Sequence, residues 1–139
     1  MVVSSVVIPR LPQNSKHMIC DDSSLNRYLL RRLLMNVLHI EVDEADGEEM
    51  LVQQVVKNGE YVIIWQDFML GIDVPDGGHA ATRLRNELQY KGTIIALTGY
   101  TDLVTRNLCK QAGMDDFVPK PYHFDTIKSM SEKYARSAG

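Results

Sequence analysis

Short apolar runs alternate along this chain with stretches whose apolar residues recur at helical spacing, and that alternation limits the folds open to it. The runs are "KHMIC", "HIEVDEA", "YVIIW", "TIIAL" and "DFVP". Between them lie stripes of Leu25, Leu29, Leu33 and Val37, then Met50, Leu51, Val55 and Val56, then Ala80, Ala81, Leu84 and Leu88, then Leu103, Val104, Leu108 and Ala112. Ile127, Met130 and Tyr134 close the series. Ser23 and Ser24 are natural N-caps, and Gly59, Gly92 and Gly113 stand where helices should stop. A strand followed by a helix, repeated five times, predicts an α/β domain with parallel strands and right-handed crossovers. The unbroken "YVIIW" suits a central strand covered on both faces, as in a doubly wound sheet.

The chain has 139 residues, enough for one domain with one core. A net charge of -3 gives no basic footprint for nucleic acid, and no apolar run approaches the ~20 residues of a membrane span. The opening "MVVSSVVIP" lacks the basic start and small-residue cleavage site of a signal peptide. Residues 1–15, with Pro9 and Pro12, read as a linker or extension that could hold a strand at "SVVI"; the domain itself is assigned to residues 16–139. Cys20 and Cys109 form no CxxC and read as buried, reduced thiols of a cytoplasmic chain. His17, His39, His79 and His123 show no ligand spacing and are expected at the surface or a strand edge.

Ligands of doubly wound sheets bind at the carboxyl ends of strands. Asp21, Asp22, Asp67, Thr98 and Lys120 all fall at such ends. Taken singly, each has a plain reading: an acidic pair that complements a helix dipole, a loop cap, a turn threonine, a solvated lysine. Taken together they describe a pocket. Three carboxylates within about 5 Å would repel by roughly 3 kcal/mol per pair at an effective dielectric near 20, unless a cation joins them. Magnesium suits such oxygen ligands. Asp22 and Asp67 are expected as direct ligands, Asp21 directly or through water, and the Met69 backbone carbonyl as a further oxygen. Asp67 would attack a phosphoryl group in line to give an acyl phosphate. Lys120, the Thr98 hydroxyl and the backbone N–H groups of Phe68, Met69 and Gly99 would face its oxygens. Thr98 turning toward them would vacate space beneath the fourth helix for Phe117, shifting the surface of the fourth helix, fifth strand and fifth helix. The run Arg27, Arg31, Arg32 reads as a solvated helix face, and Trp65 as core.

With "ICDDSSLNRYLL", "VIIWQDFML", "IIALTGYT" and "AGMDDFVPKP" in this order, the chain resembles the response regulator receiver domains of two-component signalling. The resemblance covers about Lys16 to Tyr134, and "DDSSLNR" and "HAATRLR" are most like receivers of hybrid histidine kinases. It implies a CheY-like, flavodoxin-like sheet of order 2-1-3-4-5 with five helices. It also implies Mg2+, a phosphohistidine donor on a kinase or histidine-phosphotransfer protein, and possible dimer formation on phosphorylation. Met69 and Tyr100 match family positions that tune the lifetime of the acyl phosphate.

The chain departs from the family at Gly71, where a proline is usual, at a longer stretch before "DGG", and at Gly99, where alanine is commoner. These departures keep open a pseudo-receiver that binds partners without phosphorylation. An aspartate-nucleophile phosphatase usually needs a second aspartate two residues after the first, where this chain has Met69. A flavin-binding module would need a hydroxyl-rich phosphate cradle that the loops lack.

Overall fold

The computed structural model describes residues 15–68, 76–100 and 102–135. Five strands, β1 (His17–Cys20), β2 (Val42–Ala45), β3 (Ile63–Asp67), β4 (Thr93–Thr98) and β5 (Asp116–Pro119), pair in parallel in the order β2-β1-β3-β4-β5. The helices are α1 (Ser24–Arg31), which runs on as a π-helical stretch at Arg32–Val37, α2 (Glu48–Asn58), α3 (Asp76–Glu87), α4 (Leu103–Gln111) and α5 (Phe124–Lys133). This is the doubly wound sheet expected from the alternation. The suggested strand at "SVVI", like the rest of residues 1–14, lies outside the described residues.

Side chains alternate across β3 and both sets are buried, which explains its unbroken apolar run. Ile63 and Trp65 join Ile19, Ile95, Leu97 and Val118 under α1 and α5, where Leu30, Leu34 and Ile127 seal the layer. Ile64 and Phe68 lie on the opposite face with Met18, Cys20, Ile94 and Ala96, beneath Leu51 and Val55 of α2, Ala80, Ala81 and Leu84 of α3, and Cys109 of α4. β3 begins two residues later than "YVIIW" suggests and ends on Asp67 itself. β2 is shorter than "HIEVDEA", beginning at Val42 after His39 takes the left-handed region at φ 59°.

Two helices present a different face from the one their apolar stripes suggest. In α1, Leu30 and Leu34 are buried, whereas Leu25 is 62% exposed and Leu29 and Val37 also face out. Steps of four residues advance 400° around a helix, so the stripe Leu25-Leu29-Leu33-Val37 drifts 40° per step and cannot hold one face. Of these, Leu33 alone packs on the core cluster. In α4, Leu103, Val104 and Leu108 are exposed and the buried residue is Cys109, with Ala112 packed beside it. Small residues bring α4 close to the sheet, and bulk points away from it. α2 stops at Gly59, φ 84°, and the α4 end turns at Gly113, φ 94°, both as expected from glycine's tolerance of that region. α3 ends at Glu87, ahead of Gly92, through a left-handed Gln89 at φ 55°.

Cys20 and Cys109 are free and buried, and burial pushes their thiols up to about 12 and about 11. His17, expected at the surface or a strand edge, is the first residue of β1 and is buried. Its Nδ1 accepts a 3.0 Å hydrogen bond from the Trp65 indole N–H. No helix among the described residues is long and apolar enough to cross a membrane.

Candidate functional site

Strand register sets the site. Cys20 lies beside Gln66, Asp67 beside Leu97, and Thr98 beside Pro119. The next residue on β1 is Asp21, and the next on β5 is Lys120. Parallel pairing thus brings Asp21, Asp67, Thr98 and Lys120 to one edge from four strands, as their positions after apolar runs suggested.

The acidic groups converge. Asp21, Asp22 and Asp67 each offer a carboxylate oxygen within 4.8 Å of the other two. Asp21 is 1% exposed and Asp67 3%, while Asp22 is exposed to solvent. Lys120 joins them, with Nζ 2.9 Å from Asp67 Oδ1 and 3.6 Å from Asp21 Oδ2. Two almost fully buried carboxylates beside one ammonium leave an excess of negative charge once Asp22 is added. Asp21 Oδ2 is buried and accepts no hydrogen bond. A buried carboxylate oxygen without a hydrogen-bond donor is costly, and Asp21 is one of the three residues whose carboxylates converge where a hard cation would coordinate. The donor set therefore fits Mg2+.

The neighbours qualify some sequence expectations. Phe68 N–H donates to Leu97 O at 2.9 Å, continuing the β3-β4 ladder. It is committed to the sheet, so the expectation that it faces a phosphoryl group is corrected. Gly99 is exposed, and a Cβ there would meet open space, so alanine's absence there relieves no crowding. Met69 and Gly71 fall outside the described residues, and with them the Met69 carbonyl, its N–H and its side chain. Thr98 is buried, and its hydroxyl donates to Tyr100 O at 3.1 Å while accepting from Tyr100 N–H at 3.0 Å. The Tyr100 side chain is exposed. Phe117 on β5 is half-buried against the core, and the Arg106 guanidinium of α4 lies 4.6 Å above its ring.

Sequence reasoning missed four contacts. The Gln66 carboxamide, fully buried, donates to the Asp67 backbone carbonyl at 3.2 Å. Arg27 is not on a solvated face: it bonds the Asp21 carbonyl and Glu44. Arg31 also pairs with Glu44. Arg27 was recognisable in principle, since a first-turn arginine reaches back toward the residues before its helix. Beside Lys120 opens a mainly apolar groove of about 430 Å³, lined by Leu29, Leu33 and Val37 on one side and Pro121 and Tyr122 on the other.

The model of the response regulator receiver domain matches residues 18–132. The chain is 28% identical over 144 residues to the osmosensing histidine protein kinase SLN1 of Saccharomyces cerevisiae, across 94% of this chain and 11% of that protein. It is 32% identical over 123 residues to the CAI-1 autoinducer sensor kinase/phosphatase CqsS of Vibrio cholerae, across 83% and 17%. The chain therefore spans under a fifth of either relative. Among solved structures, Vibrio cholerae chemotaxis protein CheY4 superposes with a TM-score of 0.75 at 21% identity, covering 86% of this chain and 98% of that one. The receiver domain of NtrX from Brucella abortus gives 0.76 at 16%, covering 88% and 100%. These show a shared fold. With a family model matched from the second residue of β1 to the penultimate residue of α5, this chain belongs to the response regulator receiver domains of two-component signalling.

Proposed function

We propose that this receiver accepts a phosphoryl group onto Asp67 from a phosphohistidine, in the presence of Mg2+. One observation carries the reading: buried Asp67 is held by Lys120 at 2.9 Å within an acidic trio whose Asp21 Oδ2 has no hydrogen-bond donor. An Asp67 carboxylate oxygen attacks phosphorus in line and forms the P–O bond. The P–N bond to the donor imidazole breaks, and its electron pair returns to the ring nitrogen, which takes up a proton. Mg2+, held by Asp21, Asp22 and Asp67, supplies charge neutralisation for the carboxylates and the transferring oxygens.

The remaining work falls to the chain. Lys120 holds Asp67 in place beforehand and follows the new negative charge afterwards. Phosphorylation adds about 1.5 to 2 negative charges at one point. Thr98 then exchanges its Tyr100 backbone partners for a phosphoryl oxygen. Phe117 and the Arg106 lying over it respond through β5 and α4, altering the α4-β5-α5 surface. The Gly99 N–H adds a backbone donor beside Thr98. Tyr100 flanks the site and, with Met69, tunes how water reaches the acyl phosphate.

The donor is a histidine kinase or histidine-phosphotransfer protein. The groove beside Lys120 and the exposed Leu25 and Leu29 of α1 give it an apolar seat next to Asp67. The reaction is tested by intact mass after incubation with acetyl phosphate and Mg2+. A mass gain of one phosphoryl group, dependent on Mg2+ and lost in Asp67→Asn, supports the reading. A gain that survives Asp67→Asn moves the acceptor elsewhere, and no gain in folded protein favours a pseudo-receiver that binds partners only.

A further inference from the structure

Asp21 sits where β1 ends and α1 has yet to begin, so its N–H still belongs to the sheet ladder while its carbonyl belongs to neither strand nor helix. Its N–H donates to Ala45 O of β2 at 3.1 Å. Its Oδ1 accepts from Ser23 N–H at 2.9 Å. Its carbonyl, in a residue 1% exposed, accepts from Arg27 Nη1 at 2.8 Å. Three of its four polar groups are thus fixed by hydrogen bonds, and Oδ2 has none, with Lys120 Nζ 3.6 Å away as its ion-pair partner.

Arg27 is itself fixed. It stands in the first turn of α1, where a long side chain leans back toward the helix start. Its Nε donates to Glu44 Oε1 at 3.1 Å, and its side chain is 19% exposed. Glu44 lies next to Ala45, the residue that holds the Asp21 N–H. Arg31, one turn later, also pairs with Glu44 but makes no hydrogen bond to the aspartate segment. A planar guanidinium holds two acceptors in a rigid fork, whereas an ammonium's donors rotate about one atom. The arrangement opposes a specific tendency: without a cation, three converging carboxylates push the Asp21–Asp22 segment outward.

We propose that Arg27 is a positioning residue for the metal site, holding the Asp21 carbonyl against carboxylate repulsion so that Asp21 and Asp22 are preset for Mg2+. The inference rests on the proposed Mg2+-dependent reading. Partners that orient metal ligands typically affect affinity by roughly 10- to 100-fold when lost.

The test is calorimetric titration of the full chain with Mg2+ alone, for the native protein, Arg27→Ala, Arg27→Lys and Arg31→Ala, with folding checked by circular dichroism. Amide NMR spectra of the metal-free proteins supply a second readout. Arg27→Ala is expected to weaken Mg2+ about tenfold and to shift the Asp21, Asp22 and Ser23 amides before any metal is added. Arg27→Lys, whose donors radiate from one atom instead of a planar fork, should fall between. Arg31→Ala loses the same partner, Glu44, and should bind Mg2+ within twofold of the native chain. Native-like affinity in Arg27→Ala, or an equal loss in Arg31→Ala, overturns the inference and leaves the Mg2+ reading standing. If Arg27→Ala fails to fold, native-like affinity and amide shifts in Arg27→Lys overturn it instead. A native chain that binds no Mg2+ overturns the parent reading and this inference with it.

Discussion

Removing a charge from the acidic trio should make the metal-free protein more stable. Asp22→Asn is the cleanest case, because Asp22 is the exposed member and its side chain is needed neither for the core nor for Lys120. At 4.8 Å, two unit charges repel by about 0.9 kcal/mol in a water-like dielectric and about 3.5 kcal/mol at an effective dielectric near 20. Exposure places Asp22 near the lower figure for each of its two neighbours, and Lys120 attracts it in part. The net gain expected for Asp22→Asn is about 1 kcal/mol, or roughly 3–5 °C in Tm. Mg2+ should reverse the order. The native chain gains RT ln(1 + [Mg2+]/Kd), about 1.4 kcal/mol at ten times Kd, and the variant gains much less. Urea melts in EDTA and in Mg2+, followed by circular dichroism, read both effects. A variant less stable than the native chain in EDTA, or one that gains as much from Mg2+, refutes the reasoning.

Lys120→Met has the opposite sign. It strands Asp21 and Asp67, both nearly fully buried, and should cost about 2–4 kcal/mol in EDTA by urea melts, a loss that Mg2+ partly restores. His17→Phe leaves the buried Trp65 indole N–H without its 3.0 Å acceptor, and about 1–3 kcal/mol of stability should go with it, read by the same melts and by Trp65 emission. Burial pushes the Asp116 carboxyl up, but Lys133, the Phe117 N–H and the Tyr134 hydroxyl outweigh it and hold the group below the usual range. A depressed carboxyl stabilises the fold above its unfolded pKa of about 3.9 and loses that contribution as pH falls through the folded value. The stability gap between native chain and Asp116→Asn should therefore be full at pH 6 and close on acidification below about pH 4; a gap that widens in acid contradicts the assignment.

The strand ends were legible because burial on both faces of a parallel sheet demands unbroken apolar runs, and polar residues mark where those runs stop. Asp21, Asp67, Thr98 and Lys120 were placed by that rule alone, with the strand order supplied by resemblance to a family. Helix faces were less legible. Leu103, Val104 and Leu108 outnumber Cys109 in apolar bulk, yet the sheet selects the small side chain because α4 packs close. Backbone partners were illegible for another reason: whether the Phe68 N–H faces a ligand or the Leu97 carbonyl depends on where the ladder ends, and β3 ended two residues later than its apolar run implied. The His17-Trp65 and Arg27-Glu44 bonds join residues distant in sequence, which no local pattern encodes.

The most direct test of a phosphoacceptor cluster at the edge of this sheet is a crystal structure of the chain with Mg2+ and beryllofluoride, a phosphoryl mimic. The expected result has beryllium on an Asp67 oxygen, Mg2+ among Asp21, Asp22 and Asp67, Lys120 on a fluoride, and the Thr98 hydroxyl turned away from the Tyr100 backbone. Mg2+ or beryllofluoride bound away from Asp67, or a site unchanged at saturating concentrations of both, contradicts the account.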